Sequence, residues 1–324
     1  MKKSKKILIL AISGILLILA GASVYLGNTM VDYAIKRSGE GGNRNVSETP
    51  KNLSELVTLG VIQKNKIEQK AATKAFMETH SETAAEITSN DGLLLKGFYF
   101  ENIDSDIWVI SIHGYRSNHK SMQLFACGFY ERGYNVLLPD LRGCGESEGD
   151  YIGMGWTDKN DILLWIKWIL QKNPSAKIVI HGVSMGGATT MMVSGENPEG
   201  VIGYIEDCGY TSVWDIFASE LKLRFDMPKF PIMYTADLSS KIRAGYYFSE
   251  ASSVKQLKKT EKPVLFIHGT DDDFVPFFML ETVYQAKVKG KKYKLIAEGA
   301  GHGDAVYLLG KKYWYAVFKF IDSL

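Results

Sequence analysis

The chain of 324 residues is 46% hydrophobic and 23% charged, a balance that buries a large core and excludes a disordered chain. Its formal charge of +2 rests on Lys2, Lys3, Lys5 and Lys6; without those four the remainder stands at −2, so no nucleic-acid partner is expected. Cys127, Cys144 and Cys208 are odd in number and widely spaced, with no CxxC or Cys/His cluster to hold zinc, and read as core or loop residues.

The four lysines precede ILILAISGILLILAGASVYL, an uncharged stretch from Ile7 to Leu26. As a helix rising about 1.5 Å per residue it crosses a hydrocarbon core of roughly 30 Å. Positive charge on its N-terminal flank holds that end in the cytoplasm and sends the rest across the cell membrane. Ala20, Gly21 and Ala22 also make an A-x-A site, so secretion after signal cleavage stands as the alternative. Residues 1–27 are therefore expected to be a single-pass anchor or a signal segment. Residues 28–80 follow as a polar tether (SGEGGNRNVSETPKN) and a lead-in helix from Gln63 to about His80.

From residue 81 onward short apolar runs alternate with helical patterns. EITSNDGLLLKGFYF carries the turn signal Asn90-Asp91-Gly92 between two strand-like runs, hence a hairpin. Further strands are expected at DIWVISIHG, YNVLLPD, KIVIHGVS, VIGYIEDC, PVLFIHG and KYKLIAE. Helical segments fall between or after them, at about His119–Arg132, Trp156–Leu170, Met185–Glu196, Pro276–Ala286 and Ala305–Ile321. Apolar strands interleaved with helices predict an α/β fold, a mostly parallel twisted sheet covered on both faces. Ligands gather at the carboxyl ends of such strands.

HGVSMGG, His181 to Gly187, lies between the run KIVI and the helix-forming ATTMMV. With 31 glycines in the chain a bare G-x-S-x-G is a weak signal, and its context decides. A strand that turns at once into a helix holds Ser184 in a strained conformation, and Gly182 and Gly186 remove the Cβ atoms that would clash. The helix N-terminus then offers unpaired N–H groups to an oxyanion formed at that serine. A serine hydroxyl needs a base, and the base an acid. His302, in the glycine-rich loop EGAGHGD after the last strand, is the candidate base; His113, His181 and His268 each close a strand in an HG pair and are expected to bind loop backbone instead. HGTDDDFVP supplies Asp271, Asp272 and Asp273 after the strand PVLFI, which places serine, aspartate and histidine in the chain order of an α/β-hydrolase.

The motifs HGYRSN, DLRGCGESEG, HGVSMGG, DCGYTS, HGTDDDFVP and GAGHGD, spread over about Ile87 to Leu324, resemble those of the α/β-hydrolase superfamily, in particular bacterial serine hydrolases of the BEM46-like or lysophospholipase-like kind. The resemblance implies an α/β-hydrolase fold over residues 81–324, with Ser184 as nucleophile, His302 as base and Asp272 as acid. It also implies an oxyanion hole from the backbone N–H groups of Tyr115 and Met185. Asp207 in EDCGYTS is the alternative acid, since some members take it from the preceding strand. Histidine is common in the family where Cys144 stands, leaving a thiol near the site that an oxidising compartment would attack. Asp140, Arg142 and Ser147 are expected to brace their loop.

More than fifty residues separate VIGYIEDC from PVLFIHG, too many for a simple connection, and by resemblance they form a helical cap at about residues 210–258. Phe217, Leu221, Phe225, Met227, Phe230, Ile232, Met233 and Tyr234 are candidates to line an apolar pocket or to pack the cap. The expected activity is hydrolysis of a small-molecule or lipid-like ester through an acyl-enzyme, with no cofactor and no metal. H-E-x-x-H, the P-loop and G-x-G-x-x-G are all missing from the sequence. Peptidase, thioesterase or acyltransferase activity on the same scaffold is the alternative, and an inactive membrane-tethered binding protein the remaining one.

Overall fold

A computed structural model of the chain describes residues 2–41, 50 and 52–324. One sheet carries β1 (Thr83–Thr88), β2 (Leu94–Phe100), β3 (Ile107–Ile112), β4 (Asn135–Pro139), β5 (Lys177–Val183), β6 (Val201–Asp207), β7 (Val264–Gly269) and β8 (Lys292–Ala297). Their order is β1-β2-β4-β3-β5-β6-β7-β8. β1 and β2 are the hairpin turned at Asn90-Asp91-Gly92, β2 also runs antiparallel to β4, and every later pairing is parallel.

The helices are α1 (Lys2–Ile35), α2 (Leu53–Thr79), α3 (Gln123–Glu131), α4 (Asp158–Lys172), α5 (Met185–Ser194), α6 (Val213–Phe225), α7 (Ile232–Ala244), α8 (Ser253–Leu257), α9 (Phe278–Ala286), α10 (Ala305–Leu309) and α11 (Lys311–Ile321). The pleat decides which core each strand residue joins. Trp108, Ile110 and Ile112 of β3 pack with α4, α5, α8 and α9 on one face, while Val109 packs with α3 and α11 on the other. In β5, Ile178 and Ile180 divide from Val179 in the same way, and in β7 Val264 and Phe266 from Leu265 and Ile267. Strands apolar on both sides need cover on both sides, which is why their sequences run almost unbroken in Val, Ile and Leu. The architecture is the α/β-hydrolase fold with a helical insertion between β6 and β7, made of α6, α7 and α8.

Three boundaries differ from the sequence reading. The first helix does not stop near residue 27 but continues to Ile35, because its last turns have a partner: Ser23 and Thr235, Asn28 and Ser239, and Asp32 and Arg243 bond across to α7. Residues 28–35 are therefore not tether. Arg116 then closes the helix end, its guanidinium donating to the carbonyls of Tyr33, Ala34, Lys36 and Arg37. Arg37 donates in turn to the carbonyls of Ser147 and Gly145 and ties the segment to the domain. Of the expected tether, residues 42–49 and 51 lie outside the described residues. The lead-in helix begins at Leu53 and not at Gln63; Asn52 caps it, its side chain accepting from the Glu55 N–H at 2.9 Å. Gly310 divides the expected last helix into α10 and α11.

Candidate active site

Ser184 stands between β5 and α5 at φ 60° and ψ −119°, a conformation that costs an L-residue about 1–3 kcal/mol. Backbone bonds hold it there: its N–H donates to the Asp207 carbonyl at 2.8 Å, and its carbonyl accepts from the Ala188 N–H at 3.0 Å. The turn is tight enough to forbid side chains on either side. A Cβ at Gly182 would lie 2.2 Å from the Gly186 carbonyl oxygen, and one at Gly186 would lie 2.0 Å from that of Ile112. Those contacts are why glycines flank the serine at two residues' distance.

Three loops at the carboxyl ends of the strands converge on that serine. His302, after β8, has Nε2 2.8 Å from Ser184 Oγ and Nδ1 2.8 Å from Asp272 Oδ2. Asp272, after β7, is held from its other side as well: Oδ1 accepts from the N–H groups of Phe274 and Val275 at 3.0 and 2.8 Å. Burial opposes the charge on Asp272, but the bonds from His268 and His302 prevail and hold its pKa down at about 2. Asp271 and Asp273 flank it as exposed neighbours. Tyr115 and Met185 line the same cavity as Ser184, Met185 as the first residue of α5. Gly114 is close enough that a Cβ there would meet Ser184 Cβ at 3.4 Å.

Asp207, the alternative acid, lies on the neighbouring strand but faces elsewhere. Its Oδ2 accepts from Tyr313 OH at 3.0 Å, and burial pushes its pKa up to about 6. The HG histidines divide their duties. His113 bonds the Gly114 carbonyl through Nδ1 and accepts from the Leu141 N–H through Nε2. His181 pairs with Ser111, and its burial depresses its pKa to about 3. His268 departs from a purely backbone role: besides bonding the Val275 carbonyl at 2.9 Å, it stands 3.3 Å from Asp272 Oδ2. The sequence reading did not find that contact, although the i, i+4 spacing of His268 and Asp272 was visible.

The DLRGCGESEG loop is braced by Asp140, which accepts from the N–H groups of His119 and Glu146, and by Ser147, whose hydroxyl donates to the Asp140 carbonyl. Arg142 spans Asp91 and Asp161. Cys144 is buried in the larger core, and its thiol is pushed up to about 12, first by burial and then by Asp158 and Asp140. It is a packed thiol whose burial disfavours the thiolate, the form that oxidants attack. Among the described residues, Cys208, Asp272 and His302 are a set with metal-ligand spacing, their donor atoms within 4.8 Å of one another. Asp272 and His302 already satisfy each other there, and burial holds the Cys208 thiol well above its usual pKa.

A cavity of about 750 Å³, measured with its open mouth, rises from Ser184. From the cap, Phe217, Leu221, Phe225 and Met233 line it; Met227, Phe230, Ile232 and Tyr234 do not. Met30, Tyr33 and Ala34 of α1 form part of its wall, a contribution that the expected tether had hidden. The charged side chains of the lining, Glu220 and Arg224, bond each other at 2.6 Å.

The model of the prolyl oligopeptidase family (Peptidase S9) matches residues 117–322. The uncharacterized protein YqkD of Bacillus subtilis is 32% identical over 76% of this chain and 81% of its own length. Among solved structures, the esterase Pf2001 of Pyrococcus furiosus is similar, with a TM-score of 0.63 at 23% identity over 76% of this chain and 93% of that one. The acylaminoacyl peptidase of Pyrococcus horikoshii has a TM-score of 0.58 at 22% identity, over 75% of this chain and 41% of that one. Likeness at those identities speaks for the fold. Family model and fold agree: the chain belongs to the prolyl oligopeptidase family and is a serine hydrolase of the α/β-hydrolase superfamily.

Proposed function

We propose that the protein is a membrane-tethered carboxylesterase that works through an acyl-enzyme on Ser184. The observation that carries the proposal is the unbroken chain from Ser184 Oγ through His302 to Asp272, two bonds of 2.8 Å at the floor of an apolar cavity. His302 Nε2 takes the Ser184 proton as Oγ attacks the ester carbonyl carbon, and Asp272 steadies the imidazolium that results. The carbonyl oxygen, now negative, is received by the backbone N–H groups of Tyr115 and Met185, the latter at the positive end of α5. His302 returns the proton to the departing alkoxide as the C–O bond breaks and the alcohol leaves. Water then attacks the acyl-serine; His302 takes its proton and passes one to Ser184 as the acid is released. The apolar character of the lining, with its one charged pair internally matched, supports an acyl chain over a peptide, whose main chain would need partners there.

The family match favours a second reading, a peptidase on the same catalytic residues. For location, the observation is the helix itself: Lys5–Ile35 is long and apolar enough to cross a membrane, and 6% of its most apolar window is buried against the chain. A tether holding the hydrolase domain outside the cytoplasm fits it, with secretion after cleavage as the alternative. One experiment orders the chemistry. A fluorophosphonate probe is expected to label the wild type and not Ser184→Ala. Turnover of p-nitrophenyl esters graded in acyl length is expected to exceed that of acylated amino-acid p-nitroanilides. Amide turnover without ester turnover establishes the peptidase, and a folded protein that takes no label is not a serine hydrolase acting through Ser184.

A further inference from the structure

We propose that the pocket is filled from the bilayer: the substrate is a membrane-resident lipid ester, which reaches Ser184 past α1 where that helix leaves the hydrocarbon and becomes cavity wall. The proposal rests on the esterase reading and the tether above, and adds where the substrate comes from.

The register of two helices carries it. The Ser23–Thr235 pair is 212 residues apart in sequence, and the Asn28–Ser239 and Asp32–Arg243 pairs are each 211 apart. An offset that stays within one residue over about two and a half turns means that α7 runs parallel to α1 and nearly in step with it. Their backbones meet closely, since a Cβ at Gly27 would lie 2.7 Å from the Ala236 nitrogen. By this offset Tyr234 lies level with Ala22, and Leu238 level with Leu26. Those α1 residues are the last of the uncharged stretch, so a bilayer that covers Ile7 to Leu26 reaches the foot of the cap as well.

The foot of the cap is built for that depth. Phe230, Tyr234, Leu238 and Ile242 recur every four residues along the outer side of α7 and the turn before it, and they are 74%, 59%, 54% and 76% exposed. At this register Tyr234 and Leu238 lie within the last turn of the hydrocarbon, and Ile242, level with Met30, stands in the headgroup layer. None of the four lines the cavity. From the level of Ile242 onward α1 is cavity wall. At about 1.5 Å per residue, Met30 stands ~6 Å beyond Leu26, which is within a headgroup layer of roughly 5–7 Å. The same helix thus leaves the hydrocarbon and enters the lining of the pocket in a single turn, and an acyl chain following it crosses no layer of water.

The test uses the full chain reconstituted in phosphatidylcholine vesicles with phosphatidylglycerol. Phe230→Cys, labelled with a nitrobenzoxadiazole dye, is expected to be quenched by lipids carrying a doxyl group high on the acyl chain. The same dye on Ile103→Cys, 94% exposed in the β2–β3 turn at the opposite rim of the sheet, is expected to stay unquenched. In the same vesicles, the double variant Phe230→Asp/Tyr234→Asp is expected to turn over 4-methylumbelliferyl oleate at least tenfold more slowly than wild type, and the soluble butyrate ester at the wild-type rate. If the butyrate rate and fluorophosphonate labelling stand but the dye at 230 is unquenched, or the oleate rate ignores the double variant, the bilayer route is wrong and the esterase reading survives. If the probe labels nothing, the esterase reading falls and the route with it.

Discussion

Replacing Asp272 by Asn separates the two carboxylates that lie near His302. Asn is the same size and keeps Oδ1 on the Phe274 and Val275 N–H groups, so the loop has no reason to move. Its NH2 then faces His302 Nδ1, where the carboxylate had accepted a bond at 2.8 Å. Nδ1 must accept, the ring proton moves to Nε2, and Nε2 can no longer take the Ser184 proton. The imidazolium of the transition state also loses its counter-charge. At 2.8 Å and an effective dielectric of about 20 that attraction is ~6 kcal/mol, about four decades in rate. The expected loss in kcat/KM on p-nitrophenyl butyrate is therefore about 10³–10⁴-fold, with slower fluorophosphonate labelling and a lower unfolding midpoint at pH 7, where the depressed pKa of Asp272 makes its charge stabilising. Asp207→Asn is the matched control. Its carboxylate is engaged by Tyr313, which an amide oxygen accepts equally well, so a loss under about tenfold is expected. A loss above a hundredfold in Asp207→Asn, beside near-normal rates in Asp272→Asn, would refute the assignment of the acid.

Gly186→Ala drives a Cβ to 2.0 Å from a backbone oxygen of β3, which no rotamer relieves; about 3 kcal/mol of stability should disappear in urea titrations together with activity, and a cost below 1 kcal/mol would show that the elbow is looser than described. His119 is buried, which resists its charge, yet bonds from Asp140 and Glu82 outweigh that and raise its pKa to about 9. A raised folded-state value gives stability that is complete below the unfolded pKa of about 6.5 and is lost as pH climbs through 9, so the gap in urea midpoint between wild type and His119→Gln should be wide at pH 6 and narrow by pH 9.5. An equal gap at both pH values would mean that the imidazolium contributes nothing. Met30→Trp fills the cavity from the α1 side, and should lower kcat/KM for p-nitrophenyl decanoate at least tenfold while leaving the acetate within a factor of about three. Equal effects on both esters would remove α1 from the acyl path.

Most strands and helices could be read from residues alone because their causes are local. β5 and β7 announce themselves by the unbroken apolar runs Ile178–Ile180 and Val264–Ile267, the hairpin by Asn90-Asp91-Gly92, and the elbow by glycines placed where backbone crowds backbone. The helix start at Leu53 was equally local, marked by Asn52 three residues before Glu55, and was passed over because the polar run before it reads as tether. The continuation of α1 to Ile35 had no such mark. Nothing in NTMVDYAI asks for helix over linker; its bonds to Thr235, Ser239 and Arg243 do, and those residues are some two hundred positions away.

The same division runs through the site. Residue types and chain order nominated Ser184, Asp272 and His302, because the chemistry needs a nucleophile, a base and an acid on loops at one rim of a parallel sheet. Distance separates the two candidate acids: Asp207 ends β6 and bonds Tyr313, while Asp272, on the loop after the adjacent β7, bonds His302. The cavity wall was the least legible part. An apolar residue in a cap helix packs or lines according to the angle at which helices cross, so Phe225 and Met233 face the cavity while Phe230 and Tyr234 face out. Periodicity along a helix states which residues share a face; which face meets the substrate is settled by neighbours that the local sequence does not contain.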